Sequence, residues 1–569
     1  MDPSLFLNSQ SARVPLRIGL LLNSNKLPIW TAEVIEQILN SSFARVELVV
    51  YNEAQDTAPL KRGKLALLGD RQFHRRLLFH LYSKWDRRHT EVRDYPLREI
   101  DCSNHLSRVS ALHVTPIVRR FEHRFSDDAI TCIREKKLDV LLRFGFNILR
   151  GEILKAARYG IWSYHHGDND CYRGGPAYLW ELIEKNPLSG AVLQVLTEEL
   201  DAGEVLCKGQ FATCAGASLA RNRIQPYWGA STFVIQKLRQ LHERGWESLE
   251  GNKILPVPYR GRRKIYRAPT NLEMLRWLVP FVLRKTKARA ERWFRGIRIN
   301  HWMLAVSSGQ GKKLAESSGD LKGFRQIHSP QGHFYADPFL LEHEQKSWLF
   351  FEDFTYAERR AVIAVAEVKE DGSLAEPLPA LSRPYHLSYP CVFRADGELY
   401  MVPESRANQS VELYRCKRFP DDWELVKTYM RGSAVDTTVW IENGLCWFFV
   451  TMRERRGGGL QLWLFYSKGI MEDWISHPAN PISTDVRNSR GGGAIFRDGT
   501  RLIRPSQDCS GEYGSSFTLN EILALTPQEY IERPYLTVKP PAGMAGTHTY
   551  SRLDGIEFTD IFGPMPCAR

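Results

Sequence analysis

Cysteine is scarce in this chain of 569 residues. Only ten are present and no two have C-x-x-C spacing, which excludes a disulfide framework and a typical structural zinc site. No apolar run approaches the roughly 18 residues of a membrane span, and the longest candidate, 275–283, is interrupted by Pro280. No small-residue cleavage site follows the first apolar segment. We therefore expect a cytoplasmic protein without a bound metal.

The charge is positive but unevenly distributed. There are 77 Lys and Arg against 65 Asp and Glu, a formal net charge of +12, and 43% of the residues are hydrophobic. Seven basic residues against Glu291 alone lie between Arg284 and Arg298. Because the excess belongs largely to one segment, we do not expect nucleic acid as a partner. The length suggests two to four domains.

The first half alternates strand-like and helix-like patterns. We predict strands over 17–24, 45–53 and 139–147, and helices over 31–41 and 128–138. Such alternation is typical of a parallel, doubly wound α/β sheet.

The second half has short aromatic strands, Asp-Gly and Asn-Gly turns, and an internal repeat. Its five units, each a strand, a polar turn and a strand, recur about every 50 residues. They begin at Asp337, Tyr389, Asp436, Gly492 and His548. This pattern predicts an all-β five-bladed propeller, with a β-sandwich as the alternative. We therefore divide the chain into an α/β domain (1–265), a basic helical linker (266–300) and a propeller (301–569).

Three ordered motifs lie within residues 160–206. They are Ser163-Tyr164-His165 after a strand, Tyr172-Arg173-Gly174 at the end of a loop, and Leu200-Asp201-Ala202-Gly203. Together they resemble the formyltransferase family, whose members carry Asn-x-His, Tyr-Arg-Gly and Leu-Asp-x-Gly in this order. The resemblance implies a Rossmann-like formyltransferase domain that uses 10-formyltetrahydrofolate as co-substrate.

Formyl transfer to an amine requires stabilisation of an oxyanion and a route for the released proton. The resemblance implies that His165 handles the released proton and that Asp201 orients the imidazole of His165. It also implies that Arg173 and Gly174 bind substrate. The family's Asn is Ser163 here, and a hydroxyl reaches less far than a carboxamide. The alternatives are a substitute donor, with His166 or Asn169 nearest in sequence, or an altered or inactive site.

The second half has its own resemblance. The runs YADPFL, HLSYPCVF, YMVPES, VDTT and HTY resemble the β-propeller domain attached to glucosamine inositolphosphorylceramide transferases of plants. The fold is similar to that of five-bladed glycoside hydrolases, which place carboxylates around the central axis. The corresponding substrate-binding candidates are Asp337, Glu404, Asp436, Arg504, Asp508 and His548. They form either a sugar site, in which Arg504 offsets the repulsion between the acids, or structural caps at the starts of strands.

The segment 271–302 combines apolar residues at helical spacing with a dense basic end. It is either a peripheral helix at a membrane surface, near the inner face of the membrane, or an interdomain helix that packs Leu275, Leu278 and Phe281 against one domain.

These features converge on carbohydrate modification. Our first hypothesis is an enzyme that transfers a formyl group from 10-formyltetrahydrofolate to an amino sugar or nucleotide sugar in polysaccharide biosynthesis. The second is a glycan-binding or glycan-cleaving propeller, with a glycan in its funnel, beside a vestigial formyltransferase domain. Ser163 favours the second hypothesis, whereas His165 and Asp201 favour the first.

Overall fold

The structure is a computed structural model. It describes residues 7–9, 11–54, 71–90, 94–119, 122–199, 203–214, 216–251, 253–255, 257–295, 300–308, 314, 318–453 and 459–564. The chain divides into two compact units, which consist mainly of residues 3–290 and of residues 291–454 with 459–569. The predicted boundaries of three domains stay a prediction.

The first unit is an α/β structure. Its strands are β1 (Leu16–Leu22), β2 (Lys26–Pro28), β3 (Ala44–Asn52), β4 (Glu99–Asp101), β5 (Ser110–Val114), β6 (Ile117–Arg119), β7 (Glu122–Arg124), β8 (Val140–Arg143), β9 (Ile148–Leu149), β10 (Ile161–His165), β11 (Leu188–Val195) and β12 (Glu204–Ala212). Its helices are α1 (Ile29–Asn40), α2 (Arg71–His74), α3 (Leu77–His89), α4 (Ser103–Leu106), α5 (Asp127–Glu135), α6 (Trp180–Glu184), α7 (Leu219–Ala230), α8 (Phe233–Arg244), α9 (Trp246–Gly251) and α10 (Asn271–Arg295). A 3₁₀ turn spans Glu152–Lys155.

A seven-stranded sheet with the order β12-β11-β10-β8-β1-β3-β5 forms the centre of this unit. The strands β1, β3, β5, β8 and β10 pair in parallel, whereas β11 and β12 pair antiparallel. The predicted parallel α/β domain is therefore confirmed.

Strand β1 shows why the sheet is covered on both faces. Side chains alternate along a strand, so Leu20 and Leu22 enter the core beneath α1 and α8, whereas Leu21 enters the core beneath α5. Helix α5 begins where Ser126 accepts a hydrogen bond from the Ala129 amide and two acidic residues occupy the first turn.

The second unit consists of antiparallel sheets. Its strands are β13 (Asn300–Ser307), β14 (Arg325–Ile327), β15 (His333–His343), β16 (Lys346–Thr355), β17 (Arg360–Val368), β18 (Leu378–Leu381), β19 (Ser388–Ala395), β20 (Glu398–Ser405), β21 (Ser410–Arg418), β22 (Asp422–Arg431), β23 (Ala434–Glu442), β24 (Leu445–Met452), β25 (Gln461–Ser467), β26 (Ile475–Ser476), β27 (Arg490–Gly491), β28 (Phe496–Asp498), β29 (Arg501–Asp508), β30 (Ser516–Leu525), β31 (Tyr530–Val538), β32 (Tyr550–Leu553) and β33 (Ile556–Pro564). A 3₁₀ turn spans Arg406–Asn408.

The strands described in the second unit form five sheets. Four have four strands each, β15 to β18, β19 to β22, β23 to β26, and β14-β13-β33-β32, and one contains β27 to β31. The last four-stranded sheet joins β13 to β33, which are distant in sequence. Each of the five predicted repeats contains an antiparallel hairpin. Their Asp396-Gly397, Asn443-Gly444 and Asp554-Gly555 turns have positive φ at both residues, as tight hairpin turns require.

Gly493 marks a close approach between two of these sheets. Its φ is +125° and it pairs with Tyr550, whose carbonyl oxygen would lie 1.9 Å from an added Cβ. We expect Gly493→Ala to lower the free energy of unfolding by about 3 kcal/mol or more, since the backbone itself must move. Denaturant unfolding measures this change.

Gly499 is the matched control. It also has a positive φ, +61°, but an added Cβ would meet nothing within 4 Å. Gly499→Ala should therefore cost only about 1 kcal/mol for the left-handed backbone. Equal losses in the two variants would contradict a steric role for Gly493.

Candidate functional site

The strongest concentration of buried ionisable side chains lies in the second unit and is called here the acidic site. It contains the carboxyl groups of Asp337, Glu352, Glu404, Asp436 and Asp560, with Arg490 and His548 among them. Asp337 is 6% exposed and Asp436 2%. Groups this well buried interact strongly, because little water screens their charges.

The backbone explains how the repeat brings these side chains together. Asp337, Tyr389 and Asp436, which begin the first three repeats, have left-handed φ values of +53°, +47° and +48°. At each of them the register between the first and second strand of the hairpin shifts. Such β-bulges redirect side chains, and left-handed non-glycine residues are strained. The recurrence of this strain at one repeat position indicates a functional constraint.

Asp337 is held by neighbouring repeats. Its carboxylate accepts hydrogen bonds from the Tyr389 amide at 3.1 Å and from the Thr549 hydroxyl at 2.8 Å. Its own amide donates to Asp560 Oδ2 at 3.1 Å. Burial, partly offset by the charge of His548, raises the pKa of Asp337 to about 6.

His548 lies between two acids. Its Nδ1 is 2.6 Å from Asp560 Oδ2, and its Nε2 is 3.8 Å from Asp337 Oδ1. Burial disfavours the imidazolium, but the Asp560 carboxylate outweighs burial and raises the pKa of His548. The Trp302 ring stacks on the imidazole with 3.9 Å between ring centroids, which also favours the charged form.

Arg490 neutralises the other side of the acidic site. It donates a short hydrogen bond to Asp436, lies 4.0 Å from Glu404 Oε2, and covers the Tyr513 ring at 4.6 Å. Burial disfavours the charge of Arg490, but Asp436 outweighs burial and raises its pKa. Gln507 also donates to Asp436, at 3.3 Å.

Two glutamates of the acidic site hold protons strongly. Burial and then the charge of Asp337 raise the pKa of Glu352 well above its usual range. Burial, the charge of Asp436 and a hydrogen bond with Asp436 raise the pKa of Glu404 in the same way. Burial therefore favours the protonated form of both glutamates, and carboxyl groups with strongly raised pKa values are often found at functional sites.

The sequence candidates of the second half meet only in part. Asp337, Glu404, Asp436 and His548 belong to the acidic site. Arg504 does not offset its charges, because its guanidinium pairs with Glu532 at 2.7 Å. Arg504 and Gln507 are three residues apart on β29, so alternation sends their side chains to opposite faces. Asp508 caps its own loop by accepting from the Ser510 amide at 2.9 Å.

Sequence reasoning missed Glu352, Arg490, Asp560 and Trp302. Glu352 was within reach, because it occupies the same repeat position as Glu404, 15 residues after the start of its unit. Trp302 lies on β13, which precedes the first repeat and pairs with β33, and no local pattern indicates it.

Asp337, His548 and Asp560 also bear on metal binding. One ligand atom from each lies within 4.8 Å of the other two, a spacing that could hold a metal ion. The Asp560 oxygens, however, already accept from the amides of Asp337, His548 and Thr549 and from the imidazole. A metal would have to displace the imidazole proton, and we assign none.

The motif residues of the first unit are held by protein groups. The Ser163 hydroxyl accepts from Arg143 at 3.0 Å, and His165 Nε2 lies 2.8 Å from the carbonyl oxygen of Tyr172. Arg173 donates to the Asn169 carbonyl at 3.0 Å and covers the Tyr259 ring. Asp201 lies outside the described residues.

Gly174 and His166 have structural surroundings. An added Cβ at Gly174, whose φ is +92°, would lie 2.4 Å from the carbonyl oxygen of Tyr266, so close packing requires glycine there. Burial lowers the pKa of His166 to about 3, and its ring packs 4.0 Å from that of Tyr227. His166 is therefore neutral near physiological pH.

Comparison with known proteins gives a match in the second unit. Residues 325–544 match the family described as glucosamine inositolphosphorylceramide transferase 1, N-terminal. Proteins named glucosamine inositolphosphorylceramide transferase 1 are similar over 207 residues. The protein from Oryza sativa subsp. japonica is 37% identical, over 36% of this chain and 28% of its own length. That from Arabidopsis thaliana is 34% identical, over 35% and 27%. The aligned region thus covers less than a third of these relatives.

Solved structures show weaker likenesses. Glycinamide ribonucleotide transformylase 1 from Symbiobacterium toebii has a TM-score of 0.29 and 15% identity, covering 45% of this chain and 100% of that one. A thermostable family-43 glycoside hydrolase has a TM-score of 0.29 and 13% identity, covering 36% and 76%. At these values neither likeness carries an argument.

The comparisons correct the predicted function. The relatives carry the name glucosamine inositolphosphorylceramide transferase 1, so the prediction of formyl transfer from 10-formyltetrahydrofolate is wrong, and so is that co-substrate. The prediction of a role in polysaccharide biosynthesis is wrong for the same reason. The relatives' name likewise describes a transferase, which differs from the alternative of glycan binding or cleavage beside a vestigial formyltransferase domain. Ser163 stands where formyltransferases have Asn, and its hydroxyl accepts a hydrogen bond from Arg143.

The pKa of Asp337 predicts how stability depends on pH. Between its unfolded value of 3.8 and its folded value of about 6, the unfolded chain loses the proton while the folded chain keeps it. The contribution of Asp337 to stability therefore falls as pH rises through this window and stays low above it. Asp337→Asn removes the penalty, so we expect it to raise the free energy of unfolding by about 1–3 kcal/mol at about pH 7.5 and to change it little near pH 4.

Denaturant unfolding at the two pH values measures this effect. Asp554→Asn is the matched control, because Asp554 also has a left-handed φ of +43° but is exposed. A destabilised Asp337→Asn variant at the higher pH would contradict the electrostatic account.

Proposed function

We propose that the acidic site binds an amino sugar and takes part in transferring it to an acceptor. The observation that carries this proposal is the excess of acidic groups. Among the described residues, five carboxyl groups meet one arginine, Arg490, and two histidines, His548 and His386. Burial lowers the pKa of His386, so this imidazole offsets little of the negative charge. A buried site with surplus carboxyl groups attracts a cation, and the ammonium group of an unacetylated amino sugar is one. The names of the matched relatives contain glucosamine, which is such a sugar.

The proposal includes the arrangement of the second unit as a five-bladed propeller, with the acidic site at its centre. Hydrogen bonds between different repeats support it. Asp337 accepts from Tyr389, the Tyr389 hydroxyl is 2.7 Å from that of Thr438, and Gly493 donates to Tyr389 at 2.8 Å. The sheet that joins β13 to β33 would close such a ring.

The accessible edge of the acidic site indicates where a ligand enters. The side chains of Glu404 and Arg490 are 12% and 17% exposed, more than those of Asp436 and Asp560. Trp302 and Tyr513 contribute aromatic rings to this neighbourhood. A sugar could lie against these rings while its ammonium reaches the carboxyl groups.

The glutamates can also serve the transfer step. An acceptor hydroxyl attacks the anomeric carbon, the bond to the leaving group breaks, and a base takes the hydroxyl proton. In the empty site Glu404 holds a proton beside Asp436. When the ammonium group of the sugar enters, that proton leaves to solvent, and the Glu404 carboxylate becomes available as the base. A carboxylate beside the anomeric carbon stabilises its developing positive charge.

Binding is tested by calorimetric titration of the full chain with glucosamine and with neutral N-acetylglucosamine. We expect glucosamine to bind at least about tenfold more tightly, because a desolvated ammonium–carboxylate contact contributes more than about 1.4 kcal/mol. Asp436→Asn should weaken glucosamine binding by a similar factor, whereas Asp554→Asn should leave it unchanged. Equal affinity for the two sugars, or an unaffected Asp436→Asn variant, would refute the selection by charge.

Transfer is tested by incubating the protein with a nucleotide-activated glucosamine and inositolphosphorylceramide. Mass spectrometry should detect a product that has gained one glucosaminyl group. Glu404→Gln should lower its formation about a hundredfold or more, the usual effect of losing a general base, while glucosamine binding persists. A product formed equally by this variant would remove Glu404 from the chemistry.

A further inference from the structure

An exposed apolar stripe runs along α10 of the first unit. One side of this helix packs inward through Met274, Trp277 and Phe281. A second set of apolar side chains is between 46% and 61% exposed: Leu272, Leu275, Val279, Val282 and Leu283. At 100° per residue these five lie within an arc of about 100°, nearly opposite the packed side. The helix therefore has one apolar face in the core and another in solvent.

The packing of α10 differs in part from the prediction of an interdomain helix. Leu278 packs in part against the core of the first unit, and Phe281 is buried beside Trp277 of the same helix, but Leu275 is 46% exposed. Among the described residues, no helix is both long and apolar enough to cross a membrane. A helix with an apolar face in solvent is instead suited to lie along an interface.

The neighbouring helix α3 has the same character. It is held against α10 by a hydrogen bond from the Leu78 amide to Asn271 Oδ1 at 3.0 Å and by an edge contact between Tyr82 and Trp277. Leu81 and Trp85, one turn apart, are 55% and 53% exposed. Two adjacent helices thus each present large apolar side chains to solvent, which is uncommon without a partner.

Basic residues surround these side chains. Residues 71–90 contain six Lys or Arg, residues 257–267 five, and residues 271–287 four. The acidic residues of these segments are Asp86 and Glu273, and both are engaged. Asp86 is 3% exposed and accepts from the Ala220 amide, while Glu273 pairs with Arg263 at 2.6 Å. The surface is therefore strongly positive.

A cleft of about 400 Å³ opens within this surface. It is lined by Trp180, Trp277 and the basic side chains of Arg262, Arg263 and Arg276, together with Ile183, Glu184 and Glu273. Neither Arg262 nor Arg276 has an ion-pair partner within the described part of the chain. The cleft is large enough for a phosphate-bearing headgroup, and arginine binds phosphate well.

We infer that α3, α10 and the loop 257–267 form a docking surface for an anionic lipid membrane. The exposed leucines and valines and Trp85 enter the interfacial region of the membrane. The surrounding Lys and Arg contact lipid phosphates, and one phosphate occupies the cleft. Nucleic acid fits less well, because a phosphate backbone gains nothing from a row of exposed aliphatic side chains. This inference concerns the first unit and does not depend on the chemistry of the acidic site.

Vesicle sedimentation of the full chain tests this surface. We use vesicles of phosphatidylcholine alone and vesicles in which about a third of the lipid is phosphatidylserine. The protein should bind the anionic vesicles, and salt should weaken binding. Arg284→Glu with Lys285→Glu should weaken it more than tenfold, since each basic residue contributes about fivefold. Leu275→Glu with Leu283→Glu should weaken it by at least tenfold.

Leu378→Glu with Leu425→Glu is the matched control. These leucines are 50% and 48% exposed in the second unit, outside the proposed surface, so vesicle binding should be unchanged. Thermal unfolding should be the same for all variants, since every replaced side chain is exposed. No binding to anionic vesicles would overturn the inference. So would a Leu275/Leu283 variant that binds like the unmodified protein, or tighter binding to duplex DNA that this variant retains.

Discussion

Burial of like charges is the constraint on which the second unit depends. Carboxyl groups from distant parts of the chain meet where water is scarce, and they can do so only if protons or cations neutralise them. Arg490 and His548 supply two cations, and the raised pKa values of Glu352 and Glu404 favour their protonated forms. The left-handed bulges at Asp337 and Asp436 also indicate a functional role for the cluster, because backbone strain of this kind is concentrated at functional sites.

The two units handle charge differently. In the acidic site the carboxyl groups outnumber the basic side chains. In the first unit, by contrast, Asp168 and Asp170 both contact Lys208, at 2.6 Å each, and the motif residues Ser163 and His165 are bonded to protein groups. The resemblance to formyltransferases correctly placed the Ser163-Tyr164-His165 motif at the end of a strand, but it gave the wrong reaction. A motif indicates where side chains lie, whereas their reactivity depends on what each side chain contacts.

Much of the fold follows from sequence patterns. The strand and helix pattern around β1, α1 and β3 predicted the parallel sheet, and the repeat predicted all five hairpins of the second unit. The repeat also brought out Asp337, Glu404 and Asp436, since equivalent positions of a repeat share surroundings. It could not indicate Arg490, which lies two residues before a repeat start, or Trp302, which reaches the site through pairing of β13 with β33. Arg504 was wrongly predicted to lie in the acidic site, because its positive charge was considered without the alternation of side chains along β29.

The central claim is that protons held by the carboxyl groups of the acidic site are displaced by a cationic sugar. Difference infrared spectroscopy, with and without glucosamine near neutral pH, observes protonated carboxyl groups directly. The account predicts that glucosamine removes protonated-carboxyl absorption and adds carboxylate absorption, and that Glu404→Gln diminishes this change. Saturation with glucosamine that leaves the carboxyl absorption unaltered would contradict the claim.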